Sequence, residues 1–313
     1  MLSSKQILPR ATLAVGLAAL VVGAAPMHAA DYETRVVATG LVRPTGIVVG
    51  GNRTLYITQL PTPGVPGPAG GLNTVDRIKL GSGKLENLTT GEPEPTNLAL
   101  SKKGELYWTC KSAGVILERN RKGEVGLFLR GLSKPSGISL DREGNVYFTQ
   151  LPTPGINGPN GGSNTVSVSD GVQIQVLTLG EPEPTDITVS RNGTAYWTCK
   201  SAGVILRRTP DGAVTRLLKD LKKPTGIALD ESRARLYFTE VPTPGVSGSN
   251  GGSNRVSVLD LETDSLELVD AGDPEPTDIA VAANGSVFWT CSSAGVIVQA
   301  RDTREHCDWN GQE

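Results

Sequence analysis

Three blocks recur along this chain at a nearly constant step, and the step dictates what it can fold into. LPTPGVPGPAGGLN (60–73), LPTPGINGPNGGSN (151–164) and VPTPGVSGSNGGSN (241–254) lie 91 and 90 residues apart. GEPEPTNLAL, GEPEPTDITV and GDPEPTDIAV follow the same rhythm, as do two copies of YWTCKSAGVIL and a looser FWTCSSAGVIV. Each unit is itself double. RPTGIVVGGNRTLYITQ (43–59) and EPTNLALSKKGELYWTC (94–110) share one template of charge, Pro, small polar residue, strand, polar turn and strand. KPSGISLDREGNVYFTQ pairs likewise with EPTDITVSRNGTAYWTC, and KPTGIALDESRARLYFTE with EPTDIAVAANGSVFWTC.

Six modules result. Each reads as four short strands rich in β-branched and aromatic residues, with turn residues between them and no helical periodicity. Six four-stranded modules at this period specify an all-β, six-bladed β-propeller built from three tandem double-blade repeats. The last module has only three strands. ETRVVATGL (33–41), directly before the first RPTG, supplies the fourth, so the N-terminal strand is expected to complete the last blade and close the ring. An open solenoid would leave that strand unpaired and need capping repeats.

Residues 1–30 read as a secretory signal peptide. Lys5 and Arg10 precede the apolar run 11–25, and Ala29 and Ala30 stand at a cleavage point. The run is shorter than the roughly 20 apolar residues of a membrane span. The expected organisation is a leader (1–30), a propeller (31–302) and a tail (303–313), in a secreted, extracellular or periplasmic protein with no membrane span in the mature chain. The net charge of −2 becomes −4 once Lys5 and Arg10 leave, which gives no reason to expect a nucleic-acid partner. Sequons at Asn52, Asn87, Asn192 and Asn284 permit glycosylation in a eukaryotic host.

The template PTGIALD…LYFTE, followed by NRVSVLD (254–260), resembles the NHL-type blade. That blade is shared with streptogramin-lyase-like, gluconolactonase (senescence-marker-protein) and strictosidine-synthase-like propellers. The resemblance covers essentially the whole chain after the leader. It specifies blade type more closely than activity.

In such a blade the strand 4–1 and strand 2–3 connections share one face, here called upper. Those segments, PEPT, LPTPG…GGxN and CKSAG, are nearly invariant between units, whereas the strand 1–2 turns vary freely. Three rings of residues follow. The first, before each Pro, alternates in sign: Arg43, Glu94, Lys134, Glu183, Lys223, Glu275. It is either a solubility belt or a collar that orients a zwitterionic or anionic ligand. The second is Gly46, Asn97, Gly137, Asp186, Gly226, Asp278. Asn97, Asp186 and Asp278 are expected near the axis, capping strand starts, holding water, or offering hard oxygen ligands to Ca²⁺ or Mg²⁺. The gluconolactonase resemblance implies a divalent ion held by acidic and amide side chains around the pore. The third is Gln59, Cys110, Gln150, Cys199, Glu240, Cys291. Cys110, Cys199 and Cys291 fall about 120° apart and beyond disulfide reach. They are expected to be buried packing thiols, with Cys307 in the tail a candidate partner for Cys291. Glu240, where the equivalents are Gln59 and Gln150, is the candidate general base, unless the exchange is neutral.

Histidine is confined to His28 in the leader and His306 in the tail. The catalytic histidine that a streptogramin-lyase resemblance implies therefore has no counterpart within the blades. Trp108, Trp197 and Trp289 occupy equivalent strand positions and are expected to pack between blades. The leading functional expectation is a pore-mouth site for a small molecule or peptide, lined by the charge ring with Gln59 and Gln150, under a cup of LPTPG loops. A divalent-metal-dependent hydrolase, lactonase or lyase and a protein-interaction scaffold are the alternatives, so whether the protein is an enzyme stays open here.

Overall fold

The computed structural model describes residues 31–51, 53–61, 71–152, 163–242 and 253–305. The described residues form 24 strands in six four-stranded antiparallel sheets. Strand β1 (Tyr32–Ala38) comes first. Blade one is β2 (Pro44–Gly50), β3 (Thr54–Gln59), β4 (Thr74–Lys79) and β5 (Lys84–Thr90). Blade two is β6 (Pro95–Leu100), β7 (Leu106–Cys110), β8 (Val115–Arg119) and β9 (Val125–Leu129). Blade three is β10 (Pro135–Leu140), β11 (Val146–Gln150), β12 (Thr165–Ser169) and β13 (Ile174–Leu179). Blade four is β14 (Pro184–Val189), β15 (Ala195–Cys199), β16 (Val204–Arg208) and β17 (Val214–Leu218). Blade five is β18 (Pro224–Asp230), β19 (Arg235–Glu240), β20 (Arg255–Asp260) and β21 (Leu266–Ala271). Blade six is β22 (Pro276–Val281), β23 (Val287–Cys291) and β24 (Val296–Asp302), with β1 as its outer strand.

The closure expected from the sequence is present. Glu33 pairs with Arg301 and Val36 with Val298 across β1 and β24. Ion pairs fasten the seam at the lower face. Arg304 reaches Asp31, Glu267 and Asp302, while Arg235 reaches Asp302 and Glu305. Among the described residues no helix is long and apolar enough to cross a membrane.

The core lies between blades. Trp108, Trp197 and Trp289 are fully buried at three alternate seams, against Val75, Val166 and Val256 of the preceding blades. The other three seams are filled by Phe148, by Phe238, and by Ile57 with Phe288. Alternating side chains of each strand thus face two different neighbours, which explains why both faces are apolar.

In every blade the pairing of the innermost strand with the next one is broken after the proline. Pro95 lies opposite Cys110, but the next regular pair is Leu98 with Trp108. The same shift occurs in the other five blades. A bulge of this kind leaves main-chain groups without ladder partners. A buried threonine fills each gap. The N–H groups of Gly46, Asn97, Gly137, Asp186, Gly226 and Asp278 donate to the Oγ1 of Thr58, Thr109, Thr149, Thr198, Thr239 and Thr290 at 2.7–3.2 Å. Five of these hydroxyls also donate to a carbonyl of the next blade: Thr58 to Thr96, Thr109 to Ser136, Thr149 to Thr185, Thr198 to Thr225, and Thr290 to Thr45. Thr239 lies 2.8 Å from the Thr225 hydroxyl, which in turn donates to Pro276 O of blade six.

Replacing Thr109 by valine keeps the shape but strands the Asn97 N–H and the Ser136 carbonyl. Urea unfolding of Thr109→Val is expected to show a loss of about 1–3 kcal/mol, with Thr109→Ser recovering most of it. An unchanged midpoint for Thr109→Val would contradict the bridging role.

Candidate functional site

The register places Pro44, Gln59, Thr74 and Thr90 at one end of blade one, so the 4–1 and 2–3 connections share the upper face. The LPTPG…GG segments expected to form a cup there lie almost wholly outside the described residues. The described parts of the face fall into three layers.

The outermost layer is the charge ring. Arg43, Glu94, Lys134, Glu183, Lys223 and Glu275 all adopt left-handed backbone, with φ between 46° and 55°. Their carbonyls accept the N–H of the residue that follows the second strand: Leu60, Lys111, Leu151, Lys200, Val241 and Ser292, at 3.0–3.2 Å. The turn geometry is therefore structural. Its side chains are not explained by it, since glycine or asparagine takes this conformation at lower cost. Arg43 and Glu275 are exposed, and the other four are half-exposed. Lys111 Nζ stands 3.9 Å from Glu94. Glu94, Lys111, Ser112 and Lys134 line a cavity of about 340 Å³ between blades two and three.

The second layer closes the channel. Asn97, Asp186 and Asp278 converge at the axis, as the ring alignment anticipates. Asn97 Nδ2 donates to Asp186 Oδ1 at 2.7 Å. Each side chain also caps main-chain donors. Asp186 accepts from Ile187 and Ile227, Asp278 from Ile279 and Ile47, each at 2.8 Å, and Asn97 Oδ1 accepts from Leu98 at 2.6 Å. The intervening glycines have a steric reason. A Cβ on Gly46, Gly137 or Gly226 would stand 2.5–2.8 Å from the Cα of Asn97, Asp186 or Asp278 in the next blade. Burial, then the charge of Asp278, pushes Asp186 well above the usual carboxylate range. Burial pushes Asp278 to about 7, against the pull of the Ile47 and Ile279 N–H groups. Burial and the neighbouring charge thus disfavour ionising both carboxyls together. Below them a cavity of about 210 Å³ follows the axis, walled by Val48, Ala99, Ser139, Thr188, Ala228 and Ala280 among others.

This donor set does not suit the Ca²⁺ or Mg²⁺ expected from the ring positions. A hard cation gathers six or more oxygens. Here each of the four carboxylate oxygens and the Asn97 carbonyl already accepts from a main-chain N–H. Among the described residues no group of three His, Cys, Asp or Glu side chains gathers to hold a metal.

The third ring faces into the blades rather than the pore. Gln59 Oε1 accepts from Val42 N at 2.6 Å, Gln150 Oε1 from Ser133 N at 2.8 Å, and Glu240 Oε1 from Lys222 N at 2.5 Å. All three tether the incoming 4–1 segment. Glu240 is 6% exposed, and burial raises its carboxyl above the ordinary range. A carboxylate anchored this way fits a fastening role, which the two glutamines perform without charge, better than that of a general base. Gln59 and Gln150 thus fasten the main chain one residue before Arg43 and Lys134. The alternate positions hold Cys110, Cys199 and Cys291 as free thiols with no exposure. Burial pushes Cys110 and Cys199 up to about 12 and raises Cys291 as well. Cys307 lies outside the described residues. The described chain ends at Glu305 on the lower face, paired to Arg233 and Arg235, whereas Cys291 ends β23 at the upper face.

Several determinants escaped the sequence reading. The asparagine of each GGxN block, Asn73, Asn164 and Asn254, donates through Nδ2 to the carbonyl of Glu92, Glu181 and Asp273 at 2.7–2.8 Å. In CKSAG and CSSAG the glycine matters more than the cysteine. Gly114, Gly203 and Gly295 have φ near 63°, and a Cβ there would lie 2.1–2.4 Å from the carbonyl oxygen of Leu132, Leu221 or Leu41. The signal available for both was their invariance between units, which the charged residues overshadowed.

No known family model matches the chain. A curated relative, low-density lipoprotein receptor-related protein 1 of Pyricularia oryzae, is 27% identical over 181 residues, covering 50% of this chain. The chain spans 56% of that protein's length. Virginiamycin B lyase from Staphylococcus aureus superposes with a TM-score of 0.60 at 18% identity, covering 86% of this chain and 99% of the lyase. A chain of the nidogen/laminin complex gives 0.60 at 19%, covering 76% of this chain and 89% of that one. A gluconolactonase from Xanthomonas campestris gives 0.51 at 19%, covering 66% and 71%. The chain shares the six-bladed propeller fold of the lyase and gluconolactonase propellers that its blade template resembles. At these identities the likeness concerns the fold.

The axial carboxyl pair predicts an unusual pH dependence. Asp278 holds its proton to about 7 in the folded chain, whereas an unfolded aspartate releases it near 4. Between these values the native state binds more protons, so this contribution to stability is complete below pH ~4 and falls as pH rises toward ~7. Thermal melts across that range are expected to show the fall in the wild type and a flatter profile in Asp278→Asn. Equal slopes would contradict the raised Asp278 carboxyl.

Proposed function

We propose that this protein is a secreted propeller that binds an anionic or zwitterionic small molecule, or a peptide of that character, at its upper face. One observation carries the reading: six charged side chains stand on left-handed backbone that glycine or asparagine would adopt more cheaply. Strain retained at equivalent positions points to a requirement for the side chains themselves. The cavity lined by Glu94, Lys111, Ser112 and Lys134 offers one carboxylate, one hydroxyl and two ammonium groups. The repeat supplies counterparts at Glu183, Lys200, Ser201 and Lys223, and at Glu275, Ser292, Ser293 and Arg43. Two subsites thus carry two cations and the third carries one.

A charged leader ahead of an apolar run supports export. The fold neighbours include a lyase, a lactonase and a chain in a nidogen/laminin complex, which is compatible with either a small ligand or a protein loop. A histidine-dependent lyase step finds less support, because His28 and His306 both lie outside the blades. An ordered collar with near-threefold repetition suits recognition better than acid–base chemistry, which needs unlike partners.

The test is a screen of short peptides with free termini, scored by calorimetry at low salt. Retained peptides should carry an anionic group, and the Lys134→Ala/Lys223→Ala double variant should weaken them at least about tenfold, as expected for lost charge-assisted hydrogen bonds. Lys134→Gly should also lose affinity while unfolding at equal stability or up to about 1 kcal/mol higher, since the left-handed strain is relieved. Full binding by the double variant would overturn the reading. So would a clear destabilisation on relief of the strain, which would mark the ring as a structural belt.

A further inference from the structure

The six outer strands of the ring are not alike. Among the described residues each has one edge with no strand partner, and an exposed edge is a template for pairing with another chain unless charge blocks it. β1 carries Glu33 and Arg35, β5 carries Lys84 and Glu86, β17 carries Arg216, and β21 carries Glu267 and Asp270. β13 carries none, and the uncharged run around it, GVQIQVLTLG, extends over residues 171–180. β9 is uncharged only over its own five residues, between Glu124 and Arg130. Val172, Ile174, Val176 and Leu179 are all exposed, Val172 by 87% and Val176 by 52%. Among the described residues no strand pairs with the outer edge of β13. Ile174 lies opposite Ser169 and Val176 opposite Ser167, so the two share one side of the blade.

We propose that β13 pairs antiparallel with β13 of a second copy, joining two rings edge to edge about a twofold axis. A twofold contact must be complementary to itself. An axis through Gln175 sets Ile174 of one copy opposite Val176 of the other, twice, and brings no charge against a charge. Apolar β-branched pairs of this kind stabilise antiparallel strands. The same operation at the middle of β1 or β17 would set Arg35 or Arg216 against its own copy. The self-complementary, charge-free pattern therefore favours a second copy at β13, whose uncharged run of residues 171–180 is longer than that of β9. This surface lies on the rim of the ring, separate from the upper-face collar, so the two proposals stand or fall independently.

Light scattering of the purified protein tests it. The wild type is expected to have the mass of a dimer. Val176→Lys, which sets two like charges beside the axis, is expected to halve that mass while keeping the wild-type circular dichroism spectrum and melting temperature. Thr215→Lys, a matched change on the outer strand β17, is expected to remain dimeric and so controls for the added charge. A monomeric wild type would overturn the proposal, leaving the edge open for a different chain. A Val176→Lys protein that stays dimeric would overturn it too, because the contact would then lie elsewhere.

Discussion

Six buried threonine hydroxyls hold this ring together. Each of Thr58, Thr109, Thr149, Thr198, Thr239 and Thr290 repairs the bulge in its own blade by accepting a stranded N–H. Their second hydrogen bonds run to the neighbouring blade, directly in five cases and through the Thr225 hydroxyl in the sixth. A hydroxyl suits the task because it donates and accepts at once. The apolar seams supply most of the burial, but apolar contact is not directional. The threonines fix how far each innermost strand enters the channel, and thereby where the collar and the axial side chains stand.

The alternation between odd and even blades follows from crowding at the same level. Odd blades place glycine where a Cβ would strike the next blade, and even blades place Asn97, Asp186 and Asp278 there instead. The three polar side chains then have only the axis to occupy. They cap the first free N–H groups of their own strands, and the two carboxylates reach one blade further to Ile227 and Ile47. A threefold arrangement of polar groups at the pore thus arises from a packing constraint. The charge collar above it has no such explanation. Its backbone is fixed by six equivalent hydrogen bonds, while its side chains are charged in every case at the expense of backbone strain.

Much of this was legible in the sequence, for a definable reason. Repeats at a fixed step specify blade number, and the orphan fourth strand at residues 33–41 specifies how the ring closes. The convergence of Asn97, Asp186 and Asp278 followed from ring position. What position alone could not give was how their oxygens are spent, and with those oxygens capping main-chain N–H groups they fit a hard cation poorly. Glu240 illustrates the same limit: a Gln-to-Glu exchange looks like broken symmetry, yet all three side chains tether a main-chain N–H. The threonine of YITQ, YWTC and YFTE was visible in all six copies. It drew no attention because a threonine in a strand is ordinary, and only the bulge opposite it reveals its use.

Native-state hydrogen exchange, resolved by residue, tests the keystone role most directly. The amides of Gly46, Asn97, Gly137, Asp186, Gly226 and Asp278 are expected to exchange only through global unfolding, as slowly as any in the protein. Exchange of these six at the faster rates of the outer strands would contradict it, and would show that the blades are held in register by something other than the threonine ring.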